Sequence, residues 1–415
     1  MSYEPAHFSI KFYINVVTDA KNNDTHVDYI ASVTTPALAI GCSPKGVESA
    51  GYADIYLNDM PIDGFTIPDG LRGSDTADVM FTSGTTGNPK GVRLSHDNIA
   101  GSASNINGFV GNGADDVELL GLPICHSFGL GRLRCNMLTG ATVVLHNGFA
   151  NLKSVFSAIE RYGVTGFGMV PAIWAYIKRF SGERIAAYAS QIRYIEIGSA
   201  AMPEDDKRLL MRLFPSTRIC MHYGLTEASR AVFMEFHEYA GSLDSIGCPV
   251  SDAVSVRILD SNGNPLPPGS EGELCISGNM VTDSYYDPAD NDGAFVNGYF
   301  RTGDWGYEDS DGRLHLVARK KELINVGGKK VSPVEIEEAL AAAGVGESMC
   351  VAVSDPDGIL GEVPKALLVK GTFSAEPESI AEALRHMLEP YKLPRFYEVV
   401  DSIPKTASGK KKRTL

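Results

Sequence analysis

The stretch FTSGTTGNPKG, residues 81–91, gives the strongest indication of how this chain folds and what it binds. It packs three glycines, four hydroxyl side chains and Lys90 into eleven residues. Glycines let backbone N–H groups approach a polyanion, hydroxyls donate hydrogen bonds, and an ammonium neutralises phosphate charge. A Walker loop instead ends in lysine followed by Ser or Thr. The stretch predicts a phosphate-binding loop of another kind, with a flexible surface linker as the alternative that composition leaves open.

The length and charge of the chain limit the class of protein. Its 415 residues can bury a large core, and two or three folding units are expected. A net charge of -14 argues against general affinity for nucleic acid. We find no apolar run that could cross a bilayer and no secretory signal pattern, and the seven scattered cysteines are typical of free thiols in a reducing compartment. These features predict a cytoplasmic protein with no membrane span and no nucleic-acid partner.

The order of predicted elements favours an α/β fold. Strand-like runs at residues 141–146, 163–170 and 192–197 alternate with a helical pattern at 152–162, which predicts layers around a mostly parallel sheet. From about residue 254 short strands and turn clusters follow, with a hairpin signal at Asn262-Gly263. Beyond Lys321 a helix announced by Ser332-Pro333 precedes strands at 349–355, 365–371 and 395–401 and a helix at 379–390. This last part is expected to be a small α+β domain.

Six stretches together resemble the adenylate-forming superfamily of acyl-CoA synthetases, nonribosomal adenylation domains and luciferases. After the loop come, in the family's order, GSAAMP, YGLTE, GYFRTGD, ARKKELINVGGKKVSPVEIE and PKTASGK. Within this superfamily the chain most resembles aryl or acyl CoA ligases. It implies a large adenylation domain at residues 1–320, with a β-rich part at about 245–317, and a small mobile C-terminal domain at 321–415. Lys321 would be the hinge between them.

The resemblance implies the roles of individual residues. The nucleotide would be held by Thr82, Ser83, Gly84, Thr85, Thr86, Lys90, Gly198, Ser199, Ala200, Tyr223, Gly224, Asp304 and Arg319. The loop would take the β- and γ-phosphates of ATP, Tyr223 would stack on adenine, and Asp304 with Arg319 would meet the ribose. The catalytic residues would be Lys410, which bridges the attacking carboxylate and the α-phosphate, Thr226 at the α-phosphate, and Glu227, which would also bind Mg²⁺.

The resemblance also places the acid and the thiol. The acyl pocket would be lined by His126, Phe128, Gly129, Gly198 and Gly224. Gly327 and Gly328 would line the tunnel for the thiol arm, which a domain rotation about Lys321 would bring into place. In isolation Lys410 reads as one tail lysine among others, and His126 as a structural histidine.

Three questions stay open at this level. The stretch CHSFGLGRLR, residues 125–134, has no acidic residue to pair with a substrate ammonium, which favours an aryl or aliphatic acid over an amino acid. The acceptor is expected to be coenzyme A, with phosphopantetheine on a carrier protein as the alternative. A non-catalytic acyl-adenylate-binding or scaffold relative is the rival of another class. Because the segment before the loop is shorter than is typical of the superfamily, we also expect an abbreviated first subdomain and a homodimer.

Overall fold

The computed structural model describes residues 70–82, 89–404, 411 and 413, together with three short strands nearer the N-terminus, β1 (Asn15–Val17), β2 (Leu38–Ile40) and β3 (Glu48–Ala50). The chain groups into two compact units. The first comprises Met1–Val256 and Cys275–Arg301, and the second comprises Arg257–Leu274 and Thr302–Leu415. The domain boundary at Lys321 stays a prediction. Among the helices in the described part of the chain, none is long and apolar enough to cross a membrane.

A small sheet in the first unit carries the ends of the predicted phosphate loop. Strand β4 (Thr76–Thr82) pairs antiparallel with β5 (Lys90–Ser95) and parallel with β1. Thr82 lies directly opposite Lys90, so residues 83–89 connect two paired strands. Ser95 then begins helix α1 (His96–Val110) with a capping box, in which the Ser95 hydroxyl accepts the Asn98 N–H and the Asn98 side chain accepts the Ser95 N–H.

A seven-stranded sheet forms the centre of the first unit. Its order is β12-β11-β10-β9-β8-β6-β7. Neighbouring strands from β10 to β7 run parallel, whereas β11 and β12 are antiparallel additions. The bounds are β6 (Val117–Leu120), β7 (Thr142–Leu145), β8 (Gly166–Met169), β9 (Tyr194–Ile197), β10 (Arg218–Tyr223), β11 (Val232–Glu235) and β12 (Cys248–Pro249).

Helices connect the parallel strands, as such crossovers require. They are α2 (Ser127–Thr139), α3 (Leu152–Tyr162), α4 (Pro171–Ser181) and α5 (Glu204–Leu213). Their apolar faces and the strands enclose a core in which Phe167, Trp174 and Phe214 are fully buried. The α/β class, the helix at 152–162 and the strands within 141–146 and 192–197 are confirmed.

A β-rich part of the chain follows, as predicted, and forms a five-stranded sheet. Its order is β13-β14-β16-β15 with β17 added to β16. The bounds are β13 (Val254–Leu259), β14 (Gly272–Gly278), β15 (Phe295–Val296), β16 (Tyr299–Glu308) and β17 (Leu314–Arg319). The chain turns at Asn262-Gly263, where the Asp260 N–H donates to the Asn264 carbonyl at 2.9 Å and Gly263 takes φ of 84°. That turn returns the chain onto the end of β13, since Leu259 bridges Pro265.

The C-terminal part has the predicted α+β order. A hairpin of β18 (Ile324–Val326) and β19 (Lys329–Val331) leads to helix α6 (Pro333–Ala342), whose first turn is capped by the Ser332 hydroxyl accepting the Glu335 N–H. The sheet that follows has the order β20-β21-β22. Its strands are β20 (Ser348–Ser354), β21 (Glu362–Val369) and β22 (Phe396–Val400), with helix α7 (Pro377–Arg385) between the last two. Ile336, Leu340, Leu368 and Leu384 form its buried core.

Candidate active site

Three segments with predicted site residues meet at one edge of the seven-stranded sheet. His126, Phe128 and Gly129 lie beyond the carboxyl end of β6, residues 198–200 directly follow β9, and residues 223–227 begin at the end of β10. Strands β9 and β10 are adjacent, and only β8 separates β9 from β6. Open α/β sheets bind their ligands outside the carboxyl ends of the strands. The topology therefore gathers residues that lie about a hundred positions apart.

Side-chain contacts join these segments directly. The rings of Phe128 and His222 pack edge to face with centroids 4.6 Å apart. The Arg230 guanidinium carbon lies 4.8 Å from the centre of the Phe128 ring, and its Nη2 donates to the Phe128 carbonyl at 2.7 Å. The predicted acyl wall and the segment that leads to Tyr223 are thus in contact.

The glycines of these segments have a structural requirement of their own. A Cβ on Gly198 would lie 2.1 Å from the His222 ring, and one on Gly224 would lie 2.3 Å from the Arg230 nitrogen. At Gly129 it would lie 2.2 Å from the Pro123 carbonyl oxygen. Close packing within the protein therefore excludes side chains at all three positions, and their part in lining an acyl pocket stays a prediction.

Ser199 and Ala200 are exposed in the turn after β9. Ser199 takes φ of 74°, a left-handed conformation that non-glycine residues rarely adopt and that recurs at functional sites. The backbone strain lies in the GSAAMP stretch that the resemblance assigns to the nucleotide and acid.

The predicted phosphate loop is described at its ends only. Thr82 donates weakly to the Lys90 carbonyl at 3.5 Å. The Lys90 ammonium lies 2.9 Å from Asp290 Oδ1 and 5.2 Å from the centre of the Tyr285 ring. Ser83, Gly84, Thr85 and Thr86 lie outside the described residues, as does Lys410.

Glu227 is a buried carboxylate held by a tyrosine. Glu227 is 8% exposed, and Tyr285 Oη donates a hydrogen bond to Glu227 Oε1 at 2.7 Å. Burial raises the pKa of Tyr285, and the Glu227 carboxylate raises it further, so the phenol keeps its proton and remains a donor. Among the described residues no cluster of three or more His, Cys, Asp or Glu could hold a metal. A single carboxylate suits Mg²⁺, which commonly takes one or two carboxylates and completes its shell with phosphates and water.

Thr226 lies beside Glu227 and lines a small cavity whose wall is mainly apolar. Ser127, Gly131 and Ser229 also line that cavity, so residues of α2 and of the segment after β10 border the same space.

In the second unit, Asp304 and Arg319 form a fixed pair. They lie directly opposite each other on the antiparallel strands β16 and β17. Arg319 Nε lies 2.7 Å from Asp304 Oδ1, and Arg319 Nη1 donates to the Thr302 carbonyl at 3.2 Å. Asp304 is buried and its N–H donates to the Thr302 hydroxyl. The predicted ribose-binding pair is therefore preorganised, with the carboxylate orientation set by the arginine.

The predicted hinge and tunnel residues lie in the same unit. Lys321 is exposed in the turn after β17. Gly327 and Gly328 form the turn between β18 and β19, with φ of 58° and 87°. Side chains would be strained at both positions, which accounts for the glycines without a ligand; their role at a thiol tunnel stays a prediction.

A buried charged network beneath the sheet edge was missed by reasoning from the sequence. Arg132 of α2 is fully buried and pairs with both Glu118 of β6 and Glu196 of β9, at 2.9 Å from Glu118 Oε1 and 3.0 Å from Glu196 Oε2. Glu196 Oε1 also lies 2.7 Å from Arg230 Nε and from His222 Nδ1. Two carboxylates and two guanidiniums therefore balance in the interior.

The pKa values in this network follow from burial and neighbouring charge. Burial favours the protonated form of Glu196, but the guanidiniums of Arg230 and Arg132 outweigh it and hold the pKa of that carboxyl well below its usual range. Burial lowers the pKa of His222, against the opposing effect of Glu196. Glu196 is thus ionised and His222 neutral near pH 7. A signal was present in the sequence, because a central parallel strand is normally continuously apolar and IRYIEI is not.

Comparison with known proteins identifies the family. The model of the AMP-binding enzyme family matches residues 13–286, and that of the AMP-binding enzyme C-terminal domain matches residues 335–410. The chain belongs to the AMP-binding enzyme family. This confirms the adenylate-forming superfamily predicted from the six stretches.

Similar proteins include CoA ligases. A feruloyl-CoA synthase of an Amycolatopsis species is 34% identical over 382 residues, covering 91% of this chain and 75% of that protein. A 2-succinylbenzoate–CoA ligase of Bacillus velezensis is 34% identical over 343 residues, covering 81% of this chain and 67% of that protein.

Solved structures confirm the fold. The o-succinylbenzoate CoA synthetase of Bacillus subtilis, in complex with its acyl-adenylate intermediate, matches with a TM-score of 0.84 at 27% identity. The match covers 96% of this chain and 81% of that one. ATP-bound MatB of Rhodopseudomonas palustris matches with a TM-score of 0.82 at 26% identity, covering 94% of this chain and 80% of that one.

Proposed function

We propose that this chain activates a carboxylic acid with ATP and then passes the acyl group to the thiol of coenzyme A. Its relatives are named CoA ligases, which confirms the predicted class of AMP-forming acid–thiol ligases. The observation that carries the proposal is the buried Glu227 carboxylate held by Tyr285, whose ring also faces the Lys90 ammonium at the end of the β4–β5 hairpin. Tyr285 thus lies next to both Lys90, which would bind phosphate, and Glu227, which would bind a phosphate-bound Mg²⁺.

Binding of the nucleotide follows from charge. Lys90 lies against Asp290, and the phosphates of ATP would compete with that carboxylate for the ammonium. Glu227 would hold Mg²⁺, which when bound neutralises charge on the phosphate oxygens. Asp304, oriented by Arg319, would accept hydrogen bonds from the ribose hydroxyls, and Tyr223 would stack on the adenine.

The chemistry proceeds in two displacements. An oxygen of the acid's carboxylate attacks the α-phosphorus of ATP, the bond to the β-phosphate oxygen breaks, and pyrophosphate leaves with that electron pair. Lys410 would stabilise the negative charge that the two reacting anions share, and Thr226 would donate to the α-phosphate. The thiolate sulfur then forms a bond to the acyl carbon, the bond between that carbon and the phosphate oxygen breaks, and AMP leaves with the electron pair.

The buried network supports an acid without an amino group. Glu196 and Glu118 are two buried carboxylates beneath the predicted acyl wall, and both are paired with buried guanidiniums. Neither remains to neutralise a substrate ammonium, which would be costly to bury unpaired. An aryl or aliphatic acid therefore fits better than an α-amino acid.

Acid-dependent exchange of pyrophosphate into ATP tests the proposal. Purified protein with Mg²⁺ is offered a panel of aryl, short-chain, long-chain and amino acids, and thioester formation is then followed with coenzyme A or a phosphopantetheinyl carrier protein. We expect exchange with aryl or aliphatic acids and thioester with coenzyme A. If none of the acids supported exchange in protein shown to be folded, the chain would instead be a non-catalytic acyl-adenylate-binding relative. If thioester formed with the carrier protein and not with coenzyme A, the carrier's phosphopantetheine would be the acceptor.

The expected homodimer and the cytoplasmic location stay predictions. Sedimentation of the purified chain tests the first, and fractionation of the cells that make it tests the second.

A further inference from the structure

A carboxylate on helix α6 binds the two described residues of the C-terminal tail. Glu337 Oε2 lies 2.5 Å from the Lys411 ammonium, and Glu337 Oε1 accepts from Arg413 Nη2 at 2.9 Å. Oε1 also accepts the Cys350 N–H of β20 at 2.8 Å. One side chain therefore connects the helix, the sheet and the tail.

These contacts are more protected than ordinary surface ion pairs. The side chains of Glu337 and Arg413 are 9% and 13% exposed, and that of Lys411 is 31% exposed. Hydrogen bonds with ionised partners are short and about twice as strong as neutral ones, and low exposure protects them from solvent screening. Burial, with the Glu337 carboxylate beside it, raises the pKa of the Cys350 thiol to about 12.

A second carboxylate extends the arrangement toward the predicted hinge. Arg413 Nη1 lies 3.4 Å from Glu322 Oε2, and Glu322 directly follows Lys321. Arg413 is thus paired both with α6 and with the turn after β17.

We propose that Glu337 is a positioning residue for adenylation: by holding Lys411 and Arg413 it fixes the backbone immediately beyond Lys410. Lys410 is bonded to Lys411 and adjacent Cα atoms are about 3.8 Å apart, so a contact that anchors Lys411 would restrict where Lys410 can lie. The inference rests on the role of Lys410 in the proposed function. Glu337 touches no reacting atom and acts through the tail.

Glu337→Gln separates this role from a purely structural one. The glutamine oxygen can still accept the Cys350 N–H, whereas the charge that holds Lys411 and Arg413 is lost. Since a misplacement of about 1 Å can cost a catalytic group about 10²-fold in rate, we expect adenylation to slow on the order of 10- to 100-fold. Thioester formation from supplied acyl-adenylate needs no lysine at the α-phosphate and should be unchanged.

The experiment compares both half-reactions in four proteins: wild type, Glu337→Gln, Lys410→Ala and the double variant. The expected result is a loss confined to adenylation, with no further loss when Glu337→Gln is added to Lys410→Ala, because both changes then act through one residue. Lys411→Gln, at a more exposed tail position, should reproduce part of the loss without endangering the fold. Glu338→Gln, an exposed neighbour on the same helix, should behave like wild type.

Other outcomes overturn the inference in distinguishable ways. Normal adenylation by Glu337→Gln and Lys411→Gln would show that the tail needs no anchor. Equal losses in both half-reactions, or additive losses with Lys410→Ala, would show a general structural effect. Absence of acid-dependent exchange in the wild type would instead overturn the proposed function, and the role of Glu337 with it.

Discussion

Replacing Tyr285 by Phe isolates the hydroxyl that holds Glu227. The ring remains to face Lys90, but the 2.7 Å hydrogen bond to the buried carboxylate is lost. A hydrogen bond to a charged group contributes about 1.5–3 kcal/mol, and removing it leaves Glu227 both less stabilised and free to change rotamer. Converted to a rate or affinity, that range corresponds to about 10- to 150-fold.

We expect the loss to appear in the Mg²⁺ and ATP dependence of adenylation. Pyrophosphate exchange at saturating acid, measured across a Mg²⁺ series, should give an apparent affinity for Mg-ATP that is lower by about 10-fold or more in Tyr285→Phe. Tyr286→Phe removes the hydroxyl of the adjacent residue and serves as control. Thermal unfolding of each variant reports whether the fold is retained. If folded Tyr285→Phe titrated like wild type, Glu227 would not depend on Tyr285 and its assignment to the metal would lose its structural support.

Three further predictions concern the interior and the ribose pair. Arg132→Met leaves two fully buried carboxylates short of a partner and should lower the free energy of unfolding in urea by about 3–5 kcal/mol; Arg208→Met, which breaks an exposed pair, should cost about 1 kcal/mol or less. Burial lowers the pKa of His222 below 6.5, so below that pH the unfolded chain binds more protons there than the folded chain does. The stability that neutral His222 contributes is therefore fully present above pH 6.5 and is lost as the pH falls toward the folded pKa. Urea midpoints across that range should vary less with pH in His222→Asn than in wild type, and the same pH dependence in both would contradict this. Asp304→Asn should raise the KM for ATP by about 10-fold. In this variant the KM for 2′- or 3′-deoxy-ATP should be no higher than that for ATP, whereas a higher KM for the deoxy nucleotides would place the ribose elsewhere.

The local elements were predictable because their signals are short in range. Ser332-Pro333 marks the start of α6 by capping chemistry, and the run at 152–162 has helical spacing that matches α3. The hydroxyl- and glycine-rich loop stays a prediction: composition also allowed a flexible linker, and residues 83–88 lie outside the described residues.

The long-range relationships were not predictable from one sequence. Tyr285 and Glu227 are 58 positions apart, and Glu196 meets Arg132 across 64 positions. Both contacts depend on strand order and on buried charge, which local patterns do not contain. The predicted reason for several glycines was also incomplete, because Gly198 and Gly224 are required by the packing of His222 and Arg230 before any ligand is considered.

The stoichiometry of products in one turnover tests the central claim most directly. Wild-type protein in excess over ATP is mixed with Mg²⁺ and an acid that supports exchange, coenzyme A is added after a delay, and AMP, pyrophosphate and acyl-CoA are quantified over time. The account predicts that the three form in equal amounts and that pyrophosphate appears without waiting for coenzyme A. Release of ADP and phosphate, or of AMP and pyrophosphate with no thioester, would contradict it.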